Sequence, residues 1–257
     1  MPMSKETEAT QVVVGAGGEA KRMGLNMPKP LVKLGDSTLI DRCVGMFSAC
    51  GFKDFIFLLG YKDEKVTEHI DGGRFDGINV SKSYDYAQGI EMGKAITHAI
   101  MEGKIDKSRR SLMVWPDDIF LDRELPAKVI EQHASAVKKF GVLSSAVVAE
   151  AYRSPYGLVN VDNSGLITSF EEKPLVHTPA TVGIYIFEPG AYKYFTDAID
   201  LNKPGSAKFE ELVMPALARE KKVYAVKIPP DTWFAINTQK ELEQAQKLVE
   251  AGRLPRS

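Results

Sequence analysis

Three segments of this 257-residue chain carry side chains of the kinds that handle phosphate. In the first, Val12-Val13-Val14-Gly15-Ala16-Gly17-Gly18-Glu19-Ala20-Lys21-Arg22, an apolar run breaks into glycines and then into cations. Glycine lets a loop turn its backbone N–H groups toward a ligand at close range, and phosphate is the usual ligand. The spacing is not a dinucleotide fingerprint: Gly15 and Gly17 fit G-x-G-x-x-G, but Ala20 stands at the last position, and no G-K-[ST] follows. Alone, the loop reads equally as a tight strand-to-helix turn. The second segment, Pro28-Lys29-Pro30, holds a lysine between residues that restrict its backbone. Arg22 can grip phosphate oxygens through two parallel hydrogen bonds, and Lys29 is a point charge on a stem. Lys21 is a third such cation or an exposed surface lysine. Three cations beside phosphate-ready N–H groups suit a polyphosphate. The third segment, Asp117-Asp118, offers carboxylates of the kind that accompany a metal triphosphate, where Mg²⁺ takes only one or two protein oxygens. Asp118 is expected to cap the helix that starts near Glu124.

These side chains act only where elements hold them. Up to about residue 152 short apolar runs alternate with helical patterns. Strands are predicted at 11–16, 54–60, 78–83, 111–116 and 142–150, with helices at 37–50, 63–71, 90–103 and 124–140. The helix at 37–50 opens on a Ser or Thr cap. Such alternation, with strands almost wholly apolar, implies a parallel sheet covered on both faces, and ligands bind outside the carboxyl ends of its strands. The glycine loop, the loop after the third strand and Asp117-Asp118 all fall at such ends. The pattern then changes. Two alternating strands at 156–174 are joined by Asn163-Ser164-Gly165, a hairpin signal. A strand at 180–187, helices at 189–198 and 207–219, a strand at 222–228 and a helix at 238–252 complete the chain. The expected architecture is one α/β domain over 1–257, Rossmann-like, with a mixed, mostly parallel sheet, helices on both faces and a β-hairpin lid or subdomain.

Composition narrows the partners. A formal net charge of −1 gives no electrostatic case for a nucleic-acid backbone or an anionic membrane. The apolar runs fall far short of the ~20 residues of a membrane helix. The polar start, Met1 to Thr10, lacks the apolar segment of a signal peptide, so a cytoplasmic protein is the expectation. Cys43 and Cys50 read as small core residues rather than a disulfide or metal pair.

"AGGEAKRM" followed by "PKPL" resembles the signature of the sugar-1-phosphate nucleotidyltransferases, roughly A-G-G-x-G-T-R-[LM] and then P-K-P-[LM]. Ala16, Gly17, Gly18, Arg22, Met23, Pro28, Lys29 and Pro30 match, while Ala20 and Lys21 depart from it. The resemblance runs from about residue 10 to residue 250 with its motifs in family order. It implies the nucleotide-diphospho-sugar transferase type of fold, with a nucleotide-binding half at 10–150 and an acceptor half at 151–240. It assigns catalysis to Arg22, Lys29 and Asp117, and Mg²⁺ to Asp117 and Asn237. Asn237 reads equally as a helix N-cap, and Ala235 stands where many relatives carry an acid. The nucleotide would lie on residues 16–21 (Ala16, Gly17, Gly18, Glu19, Ala20 and Lys21), with the backbone N–H groups of 17–20 holding the triphosphate. The base would lie against Gln88 and Gly89. "SPYGLVNVDNSGLITSFEEKP" and "VGIYIF" resemble the sugar-binding segments, which implies acceptor contacts by Gly157, Glu172, Lys173 and Gly183. A buried, purely structural Glu172–Lys173 pair is the competing reading. Stretches at 53–70 and 248–255 resemble the glucose-1-phosphate cytidylyltransferase branch.

The implied reaction takes an NTP (CTP, UTP, dTTP or GTP) and a sugar 1-phosphate to an NDP-sugar and pyrophosphate, with Mg²⁺ as cofactor. A cytidylyltransferase acting on a non-sugar phosphomonoester and a non-catalytic regulatory homologue of the same fold stay open, as does a homo-oligomer.

Overall fold

The computed structural model describes residues 5–87 and 89–254. In chain order the strands are β1 (Thr10–Gly15), β2 (Asp54–Leu59), β3 (Asn79–Tyr84), β4 (Arg110–Val114), β5 (Asp118–Phe120), β6 (Ser144–Ala149), β7 (Leu158–Val161), β8 (Ile167–Glu171), β9 (Ala180–Phe187), β10 (Val223–Ile228) and β11 (Trp233–Ala235). The main helices are α1 (Leu39–Ala49), α2 (Asp63–Asp71), α3 (Met92–Met101), α4 (Leu125–Phe140), α5 (Tyr192–Ala198), α6 (Phe209–Arg219) and α7 (Gln239–Glu250). Seven strands form one sheet in the order β10-β6-β9-β4-β1-β2-β3. β1 pairs in parallel with β2 and β4, β2 with β3, and β10 with β6; β9 runs antiparallel between β4 and β6. This is the mixed, mostly parallel sheet that the alternation of apolar runs implies.

A strand presents successive side chains to opposite faces, so a sheet covered twice needs apolar residues at every position. Val12 and Val14 enter one core with α1, α2 and α4 (Ile40, Phe47, Val66 and Ile130), whereas Val13 enters the other with α3, α5 and α6 (Ile96, Phe195 and Phe209). In that second core Phe209 packs edge-on to Tyr185, with ring centroids 5.0 Å apart, and stacks on Trp115 at 6.0 Å.

A third, smaller core lies apart from the main sheet. It joins Ala20 and Met23, Val32 and Leu34, Ile119 of β5, Ile236, and Leu242 and Ala245 of α7. Its backbone frame is a short ribbon of β5 and β11, antiparallel, with Ala235 opposite Asp118. The N–H of Ile236 extends the ribbon by donating to the Asp117 carbonyl at 2.9 Å. Residues far apart in sequence thereby meet at the carboxyl end of β4.

Two capping expectations are corrected. Asp118 does not cap α4: it belongs to β5, and the turn before α4 uses Asp122, whose Oδ1 accepts from the Glu124 N–H at 3.0 Å. The N-cap of α7 is Thr238, which forms a reciprocal capping box with Glu241. The Asn237 side chain is therefore free to point elsewhere.

The predicted hairpin is β7–β8, a separate two-stranded ribbon. Its turn is built as the sequence implies, with Asp162 Oδ1 accepting from the Ser164 and Leu166 N–H groups and Gly165 at φ +90°.

Ile236 is fully buried in the third core. Ile236→Ala should cost about 2–5 kcal/mol by urea unfolding. A loss below about 1 kcal/mol would mean that this cluster is not packed as described.

Candidate active site

The glycine loop leaves the end of β1 and doubles back on residues 27–29. The Ala20 N–H donates to the Met27 carbonyl at 3.1 Å, and the Lys29 N–H to the Gly18 carbonyl at 2.8 Å. Ala16 likewise spends its N–H on the Leu58 carbonyl. The expectation that N–H groups 17–20 are all available is thus corrected to 17–19, because Ala20 is engaged. The Ala20 methyl, 1% exposed, points into the third core, so it does not crowd the space above the loop. Gly17 packs tightly, and a Cβ there would come within 3.1 Å of the Gly60 nitrogen.

The two prolines and the return strand aim Lys29 across the carboxyl end of β4. Its ammonium donates to Asp117 Oδ2 and, at 3.0 Å, to Asn237 Oδ1. Arg22 Nη2 reaches the same Asn237 oxygen at 2.6 Å. Four residues predicted from separate motifs, Arg22, Lys29, Asp117 and Asn237, therefore form one cluster. Asp117 and Asn237 direct one oxygen each at a single point occupied by a cation. Among the described residues no group of three or more His, Cys, Asp or Glu side chains is arranged to hold a metal. Two converging oxygens do not make a structural metal cage. They fit a hard cation such as Mg²⁺ that keeps water and phosphate in most of its shell.

Asp118 borders the same end of the sheet but takes different partners. Its Oδ1 accepts from Trp233 Nε1 at 2.7 Å, and its Oδ2 fills the space in front of Gly183, where a Cβ would lie 1.7 Å away. The absent side chain of Gly183 accommodates this carboxylate, at an irregularity in the β6–β9 register between Thr181 and Tyr185. Burial, then the neighbouring Asp117 charge, push the Asp118 carboxyl up to about 7, against the Trp233 hydrogen bond and Lys29.

Three adjoining cavities line this end of the sheet. One of about 430 Å³ is bordered by Gly17, Gly18, Glu19, Arg22, Lys29 and Asp117. It shares Gly17, Glu19, Asp85 and Ile90 with a cavity of about 910 Å³ that reaches Tyr61, Lys62 and Gly89. It shares Trp115 and Asp117 with one of about 270 Å³ that holds Gly183, Tyr185, Glu210, Trp233 and Asn237. Other predicted residues lie elsewhere. Lys21 is exposed and lines none of the three, and Gln88 lies outside the described residues. Gly157, Glu172 and Lys173 sit on the hairpin and do not border the cavity around Asp117. Glu172 and Lys173 are exposed and form no ion pair with each other, which overturns the buried-pair reading.

The sequence reading missed Asp85, Trp115, Trp233 and Glu210. Asp85 follows β3, and its place at a strand's carboxyl end was the signal that could have found it. No hydrogen bond to its carboxylate is formed within the described residues. Burial, reinforced by Asp63, pushes it up to about 7. Its Oδ2 packs against Gly60, where a Cβ would meet it at 2.3 Å.

The sequence profile of the family described as Nucleotidyl transferase matches residues 11–252. Mannose-1-phosphate guanylyltransferase catalytic subunit beta of Drosophila pseudoobscura pseudoobscura is 27% identical over 237 residues, covering 91% of this chain and 60% of that protein. UTP–glucose-1-phosphate uridylyltransferase of Synechocystis sp. is 24% identical over 249 residues, covering 89% of this chain and 62% of that protein. The chain thus spans about three-fifths of the length of these curated relatives. Among solved structures, HddC from Yersinia pseudotuberculosis, complexed with GMP-PN, superposes with a TM-score of 0.63 at 19% identity, covering 93% of this chain and 99% of that one. At that identity the likeness speaks for the fold alone.

The Asp85 shift carries a sign. Its folded pKa, about 7, lies above the ordinary 3.8, so between roughly pH 4 and 7 the folded state holds a proton that the unfolded state has lost. Asp85 therefore lowers stability as pH rises through that window. Asp85→Asn should raise the melting temperature at pH 8 and change it much less at pH 4. An equal change at both values would contradict the assignment.

Proposed function

Because the chain belongs to the nucleotidyl transferase family, we propose that it transfers NMP from an NTP to a sugar 1-phosphate, giving an NDP-sugar and pyrophosphate. The observation that carries this reading is the convergence of Arg22, Lys29, Asp117 and Asn237 beside the N–H groups of residues 17–19, which find no partner among the described residues. Such an arrangement binds a polyphosphate and offers its α-phosphorus to a second anion. Residues 10–150 serve as the nucleotide half and 151–240 as the acceptor half. The proposed reaction compartment is the cytoplasm. None of the described helices is long and apolar enough to cross a membrane.

The acceptor's phosphate oxygen attacks the α-phosphorus and pyrophosphate leaves from the opposite side. The acceptor is already an adequate nucleophile, so no covalent enzyme intermediate is needed, and catalysis is positioning plus charge stabilisation. The N–H groups of 17–19 hold the triphosphate, Arg22 neutralises charge on the departing pyrophosphate, and Lys29 does so near the α-phosphate. Asp117 and Asn237 would hold Mg²⁺, which supplies Lewis-acid stabilisation of phosphate oxygens when bound. Lys173 would meet the acceptor's phosphate, and Glu172 and Gly157 its sugar, once the hairpin closes over the cavity around Asp117, which none of the three borders as it stands; Gly183 lines that cavity with the Asp118 carboxylate in front of it. The left-handed backbone of Lys173, φ +49°, marks a position under constraint at that end.

Asp85 bears on the base. With its carboxyl pushed up to about 7, Asp85 carries its charge above that pH, where it only accepts hydrogen bonds and is best satisfied by two adjacent donors. Guanine offers such a pair in N1–H and its 2-amino group. The base thus lies between Asp85 and Gly89, and GTP is the preferred nucleotide.

Pyrophosphate release from the four NTPs, each paired with a set of sugar 1-phosphates, tests the reading. GTP should lead, and Asp85→Asn should cut kcat/KM for GTP by about 10²-fold or more relative to CTP, because the amide matches a donor–acceptor edge instead. No turnover with any pair would refute the proposal. Lys29→Ala should lower kcat by about 10²–10³, equivalent to about 2.7–4 kcal/mol of barrier. Near wild-type kcat would remove Lys29 from the mechanism. Lys173→Ala should raise the acceptor KM and leave the GTP KM unchanged, and an equal rise in both would misplace the acceptor.

A further inference from the structure

The two oxygens that fit a hard cation are not free in the protein as it stands. Lys29 Nζ lies on both of them, and Arg22 also takes Asn237 Oδ1. Two positive side chains thus meet one carboxylate and one neutral amide. Two other acids close by are engaged elsewhere: Asp118 is turned toward Trp233 and Gly183, and Glu241 accepts from the Asn237 and Thr238 N–H groups. A divalent ion approaching this point meets two cationic side chains and finds its ligands already bonded.

Lys29 is built so that its side chain alone can leave. Its N–H is fixed to the Gly18 carbonyl at 2.8 Å, its own carbonyl accepts from Val32 at 3.1 Å, and Pro30 beside it is buried. The backbone therefore stays beside the glycine loop while the flexible four-carbon stem sweeps between Asp117 and the phosphate side of the cleft. The ammonium is partly exposed, with 15% of the side chain open to solvent. It is not locked in a dry core.

We propose that Lys29 is the resident cation of the metal position, and that it vacates Asp117 and Asn237 only when a polyanionic ligand on the glycine loop draws it away. The loop's ligand is taken to be a nucleoside triphosphate, and for that identity the inference rests on the function proposed above. The arriving phosphates reverse the local charge and take the ammonium from the two oxygens. The site thereby acquires affinity for a divalent ion at the moment the nucleotide is present. Metal loading is gated by nucleotide through one side-chain exchange, and the free protein is kept from trapping metal in an unproductive state.

The test is equilibrium binding of Mn²⁺ alone to the full chain, followed by electron paramagnetic resonance without nucleotide. The wild-type protein should bind Mn²⁺ weakly. Lys29→Met, which keeps the length and removes the charge, should bind it at least 10-fold more tightly, and Lys29→Met/Asp117→Asn should lose that gain. Arg22→Met, on an exposed side chain, guards against a folding failure and should give a smaller gain in the same direction. Adding a GTP analogue with a methylene between the α- and β-phosphorus should raise Mn²⁺ affinity of the wild-type complex above that of the analogue alone. No gain in either single variant, or a gain that survives Asp117→Asn, overturns the proposal. Turnover is not read in any arm. A protein that shows these gains yet transfers no nucleotide keeps the cation exchange and refutes the transferase reading, while a working transferase whose variants gain nothing does the reverse.

Discussion

The contact of the Lys29 ammonium with Asp117 and Asn237 is the constraint on which the rest of the candidate site depends. It ties the return of the glycine loop to the carboxyl end of β4 and to the residue before α7, three places that share no local structure. A lysine left unpaired at this depth, or an aspartate without it, would carry an uncompensated charge at a partly dry strand end. Satisfying one satisfies the other. In doing so the pair forms one wall of a cavity whose opposite wall is the loop with the N–H groups of 17–19, which have no partner among the described residues.

That contact needs a rigid base, and the small third core provides it. The loop, β5 and α7 are each too short or too polar to stand alone, yet Ala20, Leu34, Ile119, Ile236 and Leu242 pack together beneath them. The β5–β11 ribbon then sets the register that brings Asn237 beside Asp117. Asp118, next in sequence to Asp117, bonds Trp233 and fills the space at Gly183 in the same cavity. Two adjacent acids thus take different partners.

Much of this was legible in the sequence, because parallel strands buried on both faces must be apolar at every position, and strand ends are where such sheets bind ligands. Val12 to Gly15, Phe55 to Leu59 and Leu112 to Val114 announce themselves in that way. The cluster of Arg22, Lys29, Asp117 and Asn237 was legible as separate motifs. Their meeting was not, since it depends on the three-residue strands β5 and β11, too short to leave a periodic signal. The caps were misread for a local reason: Asn237 and Thr238 are both good cap residues, and only the Glu241 capping box decides between them. Asp85 went unnoticed although it stands at a strand's carboxyl end; its burial, with no hydrogen bond to its carboxylate among the described residues, is what only packing reveals. The hairpin was legible from its turn, but that Gly157, Glu172 and Lys173 do not border the cavity around Asp117 was not.

The central claim is that this cleft joins an acceptor phosphate directly to the α-phosphorus of a nucleoside triphosphate. ³¹P NMR of a reaction mixture with the acceptor phosphate labelled in ¹⁸O tests it most directly. The account predicts a nucleoside diphosphate ester whose β-phosphorus carries the label, with unlabelled pyrophosphate alongside. Label in the pyrophosphate, or free nucleoside monophosphate with no diphosphate ester, would contradict it.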